Sequence, residues 1–197
     1  MLTTTIYLKN FKKKSKSTQI QVKKNLSSLL KEKNYILESL KKSYKNSYSK
    51  KKLIKYKKIN NFKVIGMGGS TLGTQTIYEF FKDKIKKNFI FIDNLNQKKI
   101  KIRSNKNLNL VVSKSGNTIE TIVNSNIYIK RGDKNIFITE NKDNYLRNLA
   151  YKLKADVVHH NNFIGGRYSV LSEVGMLPAE LMGLNTIHFR QLNSLIK

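Results

Sequence analysis

From Phe62 onward the chain repeats one rhythm. Short apolar runs stand at 62–66 (FKVIG), 89–92 (FIFI), 108–112 (LNLVV) and 136–139 (IFIT), with a weaker run at Asp156-Val157-Val158. Between them lie stretches with helical spacing at 71–86, 118–130 and 142–153. Strand-length runs alternating with helical stretches predict βαβ units, a parallel sheet and right-handed crossovers, hence an α/β fold. Ligands of such sheets sit beyond the carboxyl ends of the strands. Residues 1–60 differ. Ile20, Leu26, Leu29, Leu30, Tyr35, Ile36, Leu40 and Tyr44 recur at spacings near three and four, between lysine runs at 12–14, 50–52 and 57–58. That pattern predicts amphipathic helices with lysines outward. A helical layer against the domain is expected rather than a free basic arm, because the apolar stripe requires a partner. We therefore divide the chain into a Lys-rich helical lead-in (1–60), an α/β domain (61–185) and the truncated start of a following segment (186–197). No repeat or linker is visible. Pro178, the single proline, falls in a helical run that it is expected to kink or end.

Composition changes this picture less than its size suggests. The formal net charge is +27, from 39 Lys and Arg against 12 Asp and Glu. Such a surface attracts nucleic acid or anionic membrane. Only five of the cations are Arg, however, and Asn and Ile are also abundant, the signature of an A/T-rich coding sequence at tolerant positions. Readers of nucleic acid favour Arg and stacking aromatics, so a nucleic-acid partner is not expected. There is no cysteine, which excludes disulfides, thiolate metal sites and a catalytic thiol. No apolar run approaches the ~20 residues of a membrane span. The first 14 residues also lack a secretory apolar core of about 7–15 residues. A soluble, cytoplasmic protein without a membrane partner is expected.

The chemistry is concentrated in three loops. Gly66-Met67-Gly68-Gly69-Ser70-Thr71-Leu72-Gly73 and Ser113-Lys114-Ser115-Gly116-Asn117-Thr118-Ile119-Glu120 each follow an apolar run and open a helical stretch. Glycines let backbone N–H groups crowd one point, and a helix N-terminus adds partial positive charge, which together suit a phosphate or carboxylate. The first loop is neither a dinucleotide fingerprint, since Thr71 stands where the third glycine belongs, nor a Walker A loop, since Thr74-Gln75 replace Lys-Ser/Thr. NAD and ATP are thereby disfavoured. A tight ligand-free turn would use the same glycines. In the second loop Ser113, Ser115 and Thr118 offer three hydroxyls around Gly116, and Lys114 adds charge. Helix capping alone would account for one of them. In the third cluster, Gly165-Gly166-Arg167-Tyr168-Ser169-Val170-Leu171-Ser172, two glycines precede an arginine that can be aimed into the mouth of the sheet. A guanidinium there would stabilise an anionic intermediate; a surface arginine after a flexible turn is the alternative.

VIGMGGSTLG (64–73), VVSKSGNTIET (111–121) and GGRYSVLSEVGMLPAELMG (165–183), in this order, resemble the glucose-6-phosphate isomerase family. The first two stretches belong more broadly to sugar isomerase (SIS) domains; the third is more specific. The resemblance covers roughly residues 60–185. It implies a three-layer α/β/α, flavodoxin-like SIS domain and reversible conversion of glucose 6-phosphate to fructose 6-phosphate. It further implies no cofactor, a cytoplasmic homodimer and a place in glycolysis and gluconeogenesis. By position, it makes Ser113, Lys114, Ser115, Gly116, Asn117 and Thr118 the phosphate seat, with Gly69 and Ser70 as further substrate contacts. Arg167 becomes the group that stabilises the enediolate.

The family's carboxylate base, and the His and Lys that assist ring opening, have no counterpart in the matching stretches. Glu173 and Glu180 belong to the helix after Arg167 and are not assigned as the base. His159, His160 and His188 read as strand-end or surface residues. The expectation is a front part of an isomerase, with its C-terminal domain absent, that binds sugar phosphate weakly and barely turns it over. A truncated reading, a split gene product served by a separate C-terminal chain, and a degraded copy all remain open. A non-catalytic SIS sugar-phosphate-binding module is the competing reading, and a basic nucleic-acid-binding protein a weaker one. Residues 168–182 carry more apolar surface than one helix face can hide, so exposed apolar patches are expected there.

Overall fold

The structure is a computed structural model and describes residues 16–95 and 107–190. Its helices are α1 (Lys16–Lys31), α2 (Tyr35–Leu40), α3 (Lys50–Leu53), α4 (Gly69–Phe80), α5 (Ile119–Tyr128), α6 (Tyr145–Lys152) and α7 (Glu173–Met182). The strands are β1 (Asn61–Ile65), β2 (Asn88–Ile92), β3 (Asn107–Val112), β4 (Lys134–Thr139) and β5 (Asp156–His159). They form one sheet in the order β2-β1-β3-β4-β5, with every neighbouring pair parallel. The strands coincide with the five predicted runs. The predicted helix 71–86 instead ends at Phe80 and gives way to a 3-10 turn at Lys82–Lys84.

Alternation along each strand divides the core into two faces. Phe62, Val64, Leu108, Leu110, Val112, Ile136 and Ile138 pack with Ile77 of α4 and with Val174, Met176 and Leu177 of α7. Ile65, Val111 and Phe137 pack on the other side with Tyr128 of α5 and with Leu146 and Ala150 of α6. The result is a helix–sheet–helix sandwich of three layers. Chain order reverses between β1 and β3, which opens a crevice between the loops that leave those two strands.

Polar residues interrupt the second face in one row. Lys63 on β1 is in register with Asn109 on β3, which is in register with Asn135 on β4. The Lys63 ammonium donates to the Tyr128 carbonyl at the end of α5 (2.8 Å) and to the Asp133 carboxylate (2.9 Å). The Asn109 amide donates to Asp133 (3.1 Å) and to Asn135 (2.7 Å). Burial by itself would raise the Asp133 pKa, but the hydrogen bonds from Lys63 and Asn109 outweigh it and hold the carboxyl below its ordinary value.

Two expectations for the helices are corrected. The helix foreseen over 168–182 is a 3-10 turn at Gly166–Leu171 followed by α7, which Ser172 caps by accepting from the Val174 amide. Nor does α7 expose its apolar surface: Val174, Met176, Leu177, Ala179, Leu181 and Met182 are all buried. The sheet, α4 and the 3-10 turn surround it. Pro178 stands inside α7 without ending it. A proline lacks the N–H that would bond the carbonyl four residues back, and here that carbonyl, of Val174, accepts instead from the buried Thr74 hydroxyl of α4 (3.2 Å). The second correction concerns α1, none of whose residues is buried; Ile20, Leu29 and Leu30 are exposed. The packed layer starts later, with Tyr35 stacked on Phe163 at 4.5 Å and with Leu53 and Tyr56 in the core. At the far end, the buried Arg190 donates to the Ser39 carbonyl (3.0 Å), to Asn46 (3.0 Å) and to the Leu171 carbonyl. It thereby ties the lead-in to the 166–171 turn.

Candidate functional site

All three sequence clusters meet at the crevice. The β1–α4 loop and the 166–171 turn touch backbone to backbone. A Cβ added at Gly69 would lie 2.3 Å from the Gly166 carbonyl carbon, so only glycine allows this approach. The Ser169 hydroxyl secures it, donating to the Gly166 carbonyl (2.7 Å) and lying 3.4 Å from that of Gly69. Across the crevice stands the β3–α5 loop, shaped by Gly116 at φ +68°. Between them opens a cleft of about 420 Å³ lined by Met67, Gly69, Ser70, Lys114, Ser115, Thr118, Glu140 and Gly166.

Helices α4 and α5 both begin here without a side-chain cap. Their behaviour contrasts with α2, α6 and α7, which Asn34, Asn144 and Ser172 cap through hydrogen bonds. At α4 the Ser70 and Thr71 amides already donate to the Met67 and Gly68 carbonyls, so the Gly69 amide and the leading amides of α5 are what give the cleft N–H donors and positive partial charge. Two clefts of similar volume flank the edge strand β5, where Lys55 and Tyr56 bind Asp156, but they collect none of the predicted site residues.

The predicted residues divide into three groups. Gly69, Ser70, Lys114, Ser115 and Thr118 line the cleft. Ser113, Gly116 and Asn117 build the loop. Ser113 is buried, its hydroxyl 2.9 Å from that of Thr118 and accepting from the Gly116 amide (3.2 Å). The Gly116 carbonyl accepts from the Leu146 amide (3.1 Å), and the Asn117 side chain accepts from the Tyr145 amide (3.0 Å) at the start of α6. Arg167 forms the third group. Its backbone packs against Gly69 at the rim, while its side chain is exposed and makes no hydrogen bond or ion pair with the described residues.

Sequence reasoning passed over Glu140 and Asn144. Glu140 directly follows β4, the same position relative to a strand that singled out the other loops. Its carboxylate lies 3.6 Å from the Lys114 ammonium and 3.4 Å from that of Lys142. Asn144 caps α6 by accepting from the Arg147 amide (2.9 Å) and presses on Gly116. His160 directly follows β5, as a strand-end reading has it, but it is not a surface residue. The ring is fully buried, with Nδ1 3.1 Å from the Asn161 carbonyl and Nε2 without a hydrogen-bond partner among the described residues. Burial lowers its pKa. Glu173 is also buried, accepting from the Asn161 amide (2.7 Å) and from the Tyr44 hydroxyl (3.2 Å), which burial and this carboxylate push up to about 12. Among the described residues no three His, Cys, Asp or Glu side chains gather as a metal site would require, and no helix is long and apolar enough to cross a membrane.

The family model for phosphoglucose isomerase matches residues 12–195. The chain belongs to the phosphoglucose isomerase family. The glucose-6-phosphate isomerase of Methanocaldococcus jannaschii is 36% identical over 148 residues, covering 68% of this chain and 36% of that protein. Among solved structures, a hypothetical protein from Thermus thermophilus superposes with a TM-score of 0.66 at 22% identity, over 87% of this chain and 45% of that one. The glucosamine-6-phosphate deaminase of Thermotoga maritima gives 0.54 at 19% identity, over 88% and 52%. These two similarities concern the fold, and the α/β/α architecture implied by the resemblance is the one observed. The chain spans 26% to 36% of the length of the first curated relatives of the phosphoglucose isomerase family that it matches.

Proposed function

We propose that the cleft between the β1 and β3 loops seats the phosphate of a sugar phosphate. In this reading the chain is the phosphate-gripping part of a glucose-6-phosphate isomerase, which interconverts glucose 6-phosphate and fructose 6-phosphate without a cofactor. One observation carries it: two uncapped helix starts and the residues Ser70, Ser115 and Thr118 open on the same cleft. A phosphate dianion needs many donors in a small volume, which hydroxyls and amides supply without crowding. Ser115, Thr118 and Ser70 are assigned to the phosphate oxygens, together with amides of Gly69 and of the first turn of α5. Ser113, Gly116 and Asn117 hold the loop in shape. Lys114 supplies charge.

Arg167, at the rim beside Gly69, is assigned to the negative charge that develops on the enediolate. A planar, permanently charged guanidinium can serve an oxyanion without itself exchanging protons. Proton transfer between C1 and C2 requires a positioned base, worth about 10²–10⁴-fold, and we assign that role to none of Glu173, Glu180 or the histidines. A cytoplasmic homodimer acting in glycolysis and gluconeogenesis belongs to the same proposal.

Titration with glucose 6-phosphate, followed by backbone amide resonances, tests the seat. Amides of Gly69, Ser70, Ser115, Gly116 and Thr118 are expected to move together. Thr118→Val should weaken binding about tenfold or more, the worth of one hydrogen bond to a charged group. Shifts spread over the lysine-rich surface and erased by salt would replace the seat with non-specific attraction. For Arg167→Ala, turnover should fall by about 10²–10³ with binding nearly unchanged. Equal losses in both would remove its role.

A further inference from the structure

One side chain in the cleft has the wrong sign for the proposed ligand. Glu140 lines it beside Ser115 and Thr118, and its carboxylate is only 12% exposed. The backbone pins its position, because the Glu140 amide donates to the Lys114 carbonyl (3.0 Å), which also accepts from the Thr139 hydroxyl (3.3 Å). The side chain stands between two ammonium groups, Lys114 at 3.6 Å and Lys142 at 3.4 Å. Lys114 is a cleft-lining residue of the SKSGNT loop; Lys142 is largely solvent-exposed.

We propose that Glu140 is a resident counter-anion of the phosphate seat, an affinity-setting and specificity-determining residue for the ligand that the preceding reading assigns to this cleft. In the free protein its carboxylate holds the Lys114 ammonium. An arriving phosphate must take Lys114 from Glu140, so binding is an exchange of anionic partners rather than the filling of a bare positive hole. Lys142 makes the exchange possible. When Lys114 turns to the ligand, Lys142 remains to balance a carboxylate that is mostly out of water, where an unpaired charge is costly. The device suits a chain of net charge +27. A strongly basic seat without an internal anion would hold any cellular anion, whereas one that starts neutralised yields to a dianion that can also collect hydroxyl and amide donors.

The test uses inorganic phosphate and fructose 6-phosphate as probes, with calorimetric affinities for the intact chain and amide shifts at Ser115 and Thr118 to locate binding. Glu140→Gln, which keeps shape and removes charge, should tighten both probes about twofold to fivefold, the scale of one solvent-screened charge contact. Glu140→Asp, with a shorter reach toward Lys114, should fall between the two. Lys142→Ala should weaken binding in the native background and lose most of that effect when combined with Glu140→Gln. Unchanged or weaker binding by Glu140→Gln, with the native chain binding normally, would overturn the inference alone and make Glu140 a support for Lys114. Failure of the native chain to bind either probe at Ser115 and Thr118 would overturn the proposed function and this inference with it.

Discussion

Strand β3 carries a polar cluster at each end, and the two behave oppositely. Near its beginning, Asn109 joins Lys63, Asn135 and Asp133 in a row whose amide and ammonium donors all turn to protein acceptors. Past its end, Ser113 starts a loop in which the inner hydroxyl is committed to the fold while Ser115, Thr118 and Lys114 face a cleft. Both clusters are polar, and both abut the same hydrophobic sheet. They differ in what their donors have left to do. A buried row whose donors are spent on protein acceptors is architecture, even with the Asn109 side-chain oxygen left unpartnered among the described residues. By contrast, a loop in which Ser113 and Thr118 bond each other and Ser115, accepting from the Asn117 amide (3.3 Å), keeps its own O–H beside uncapped helix starts is equipped for a ligand. Polarity in a strand or loop therefore marks a site only after its hydrogen bonds are accounted for.

The comparison breaks most forcefully at Lys63. Removing its ammonium leaves the Asp133 carboxylate buried, the Tyr128 carbonyl unpaired and the Asn109 amide with a disrupted neighbour. Lys63→Ala should cost about 3–5 kcal/mol, the usual penalty for one partner of a buried ion pair, read by denaturant unfolding. The surviving folded fraction should still show phosphate-induced shifts at Ser115 and Thr118. Loss of that response would mean the two ends of β3 are not independent.

The loop end is tested at Gly116. Its φ of +68° disfavours any side chain, and a Cβ there would lie 2.0 Å from the Asn144 oxygen that caps α6. Gly116→Ala should cost roughly 2–3 kcal/mol, from about 1–2 for the left-handed backbone and about 1 for the displaced cap. Unlike Lys63→Ala, it should also weaken phosphate binding, because it deforms the loop of the proposed seat. A smaller effect is expected at Thr74. Thr74→Val strips the hydroxyl that Pro178 makes necessary and leaves the Val174 carbonyl buried without a donor, at about 1–3 kcal/mol. Thermal unfolding of that variant in the Pro178→Ala background should recover part of the loss, since alanine restores the missing N–H.

Much of this is legible from residue order alone, for physical reasons. The five apolar runs become strands because β-branched and aromatic residues of that length alternate with helical stretches. The three loops prove neighbours because parallel connections deliver successive loops to one end of a sheet. Other features depend on partners distant in sequence. Nothing in FKVIG or LNLVV indicates that Lys63 and Asn109 meet Asp133. A lysine and an asparagine inside two strand-length runs are the available signal, and the apolar residues around them mask it. The burial of α7 depends on α4 crossing over it, and the bareness of α1 on the lack of any described surface to receive its apolar stripe. Glu140 is accessible to the same strand-end rule that selects Ser113, but an acid is not sought in a phosphate seat.

The finest distinction between the two polar regions is in pH. His160 stands at the carboxyl end of the sheet, its amide bonded to the Thr139 carbonyl (2.8 Å). Burial lowers its pKa; the Asn161 carbonyl, Glu173 and Glu140 act the other way, and Lys114 adds to the lowering. A group with a depressed folded pKa takes up its proton more readily in the unfolded chain. Its contribution is therefore intact above the unfolded value, about 6.5, and is lost as pH falls from there toward the folded value. The slope cannot exceed about 1.4 kcal/mol per pH unit. The Asp133 carboxyl, also depressed, acts in a separate window, with stability lost only below the unfolded value of about 3.9. Unfolding free energies measured from pH 7 down to pH 3 should thus decline first through the histidine and later through the row. His160→Gln should flatten the first decline and spare the second. If the first decline persists in that variant, some other group titrates near neutrality and the buried ring is not its source.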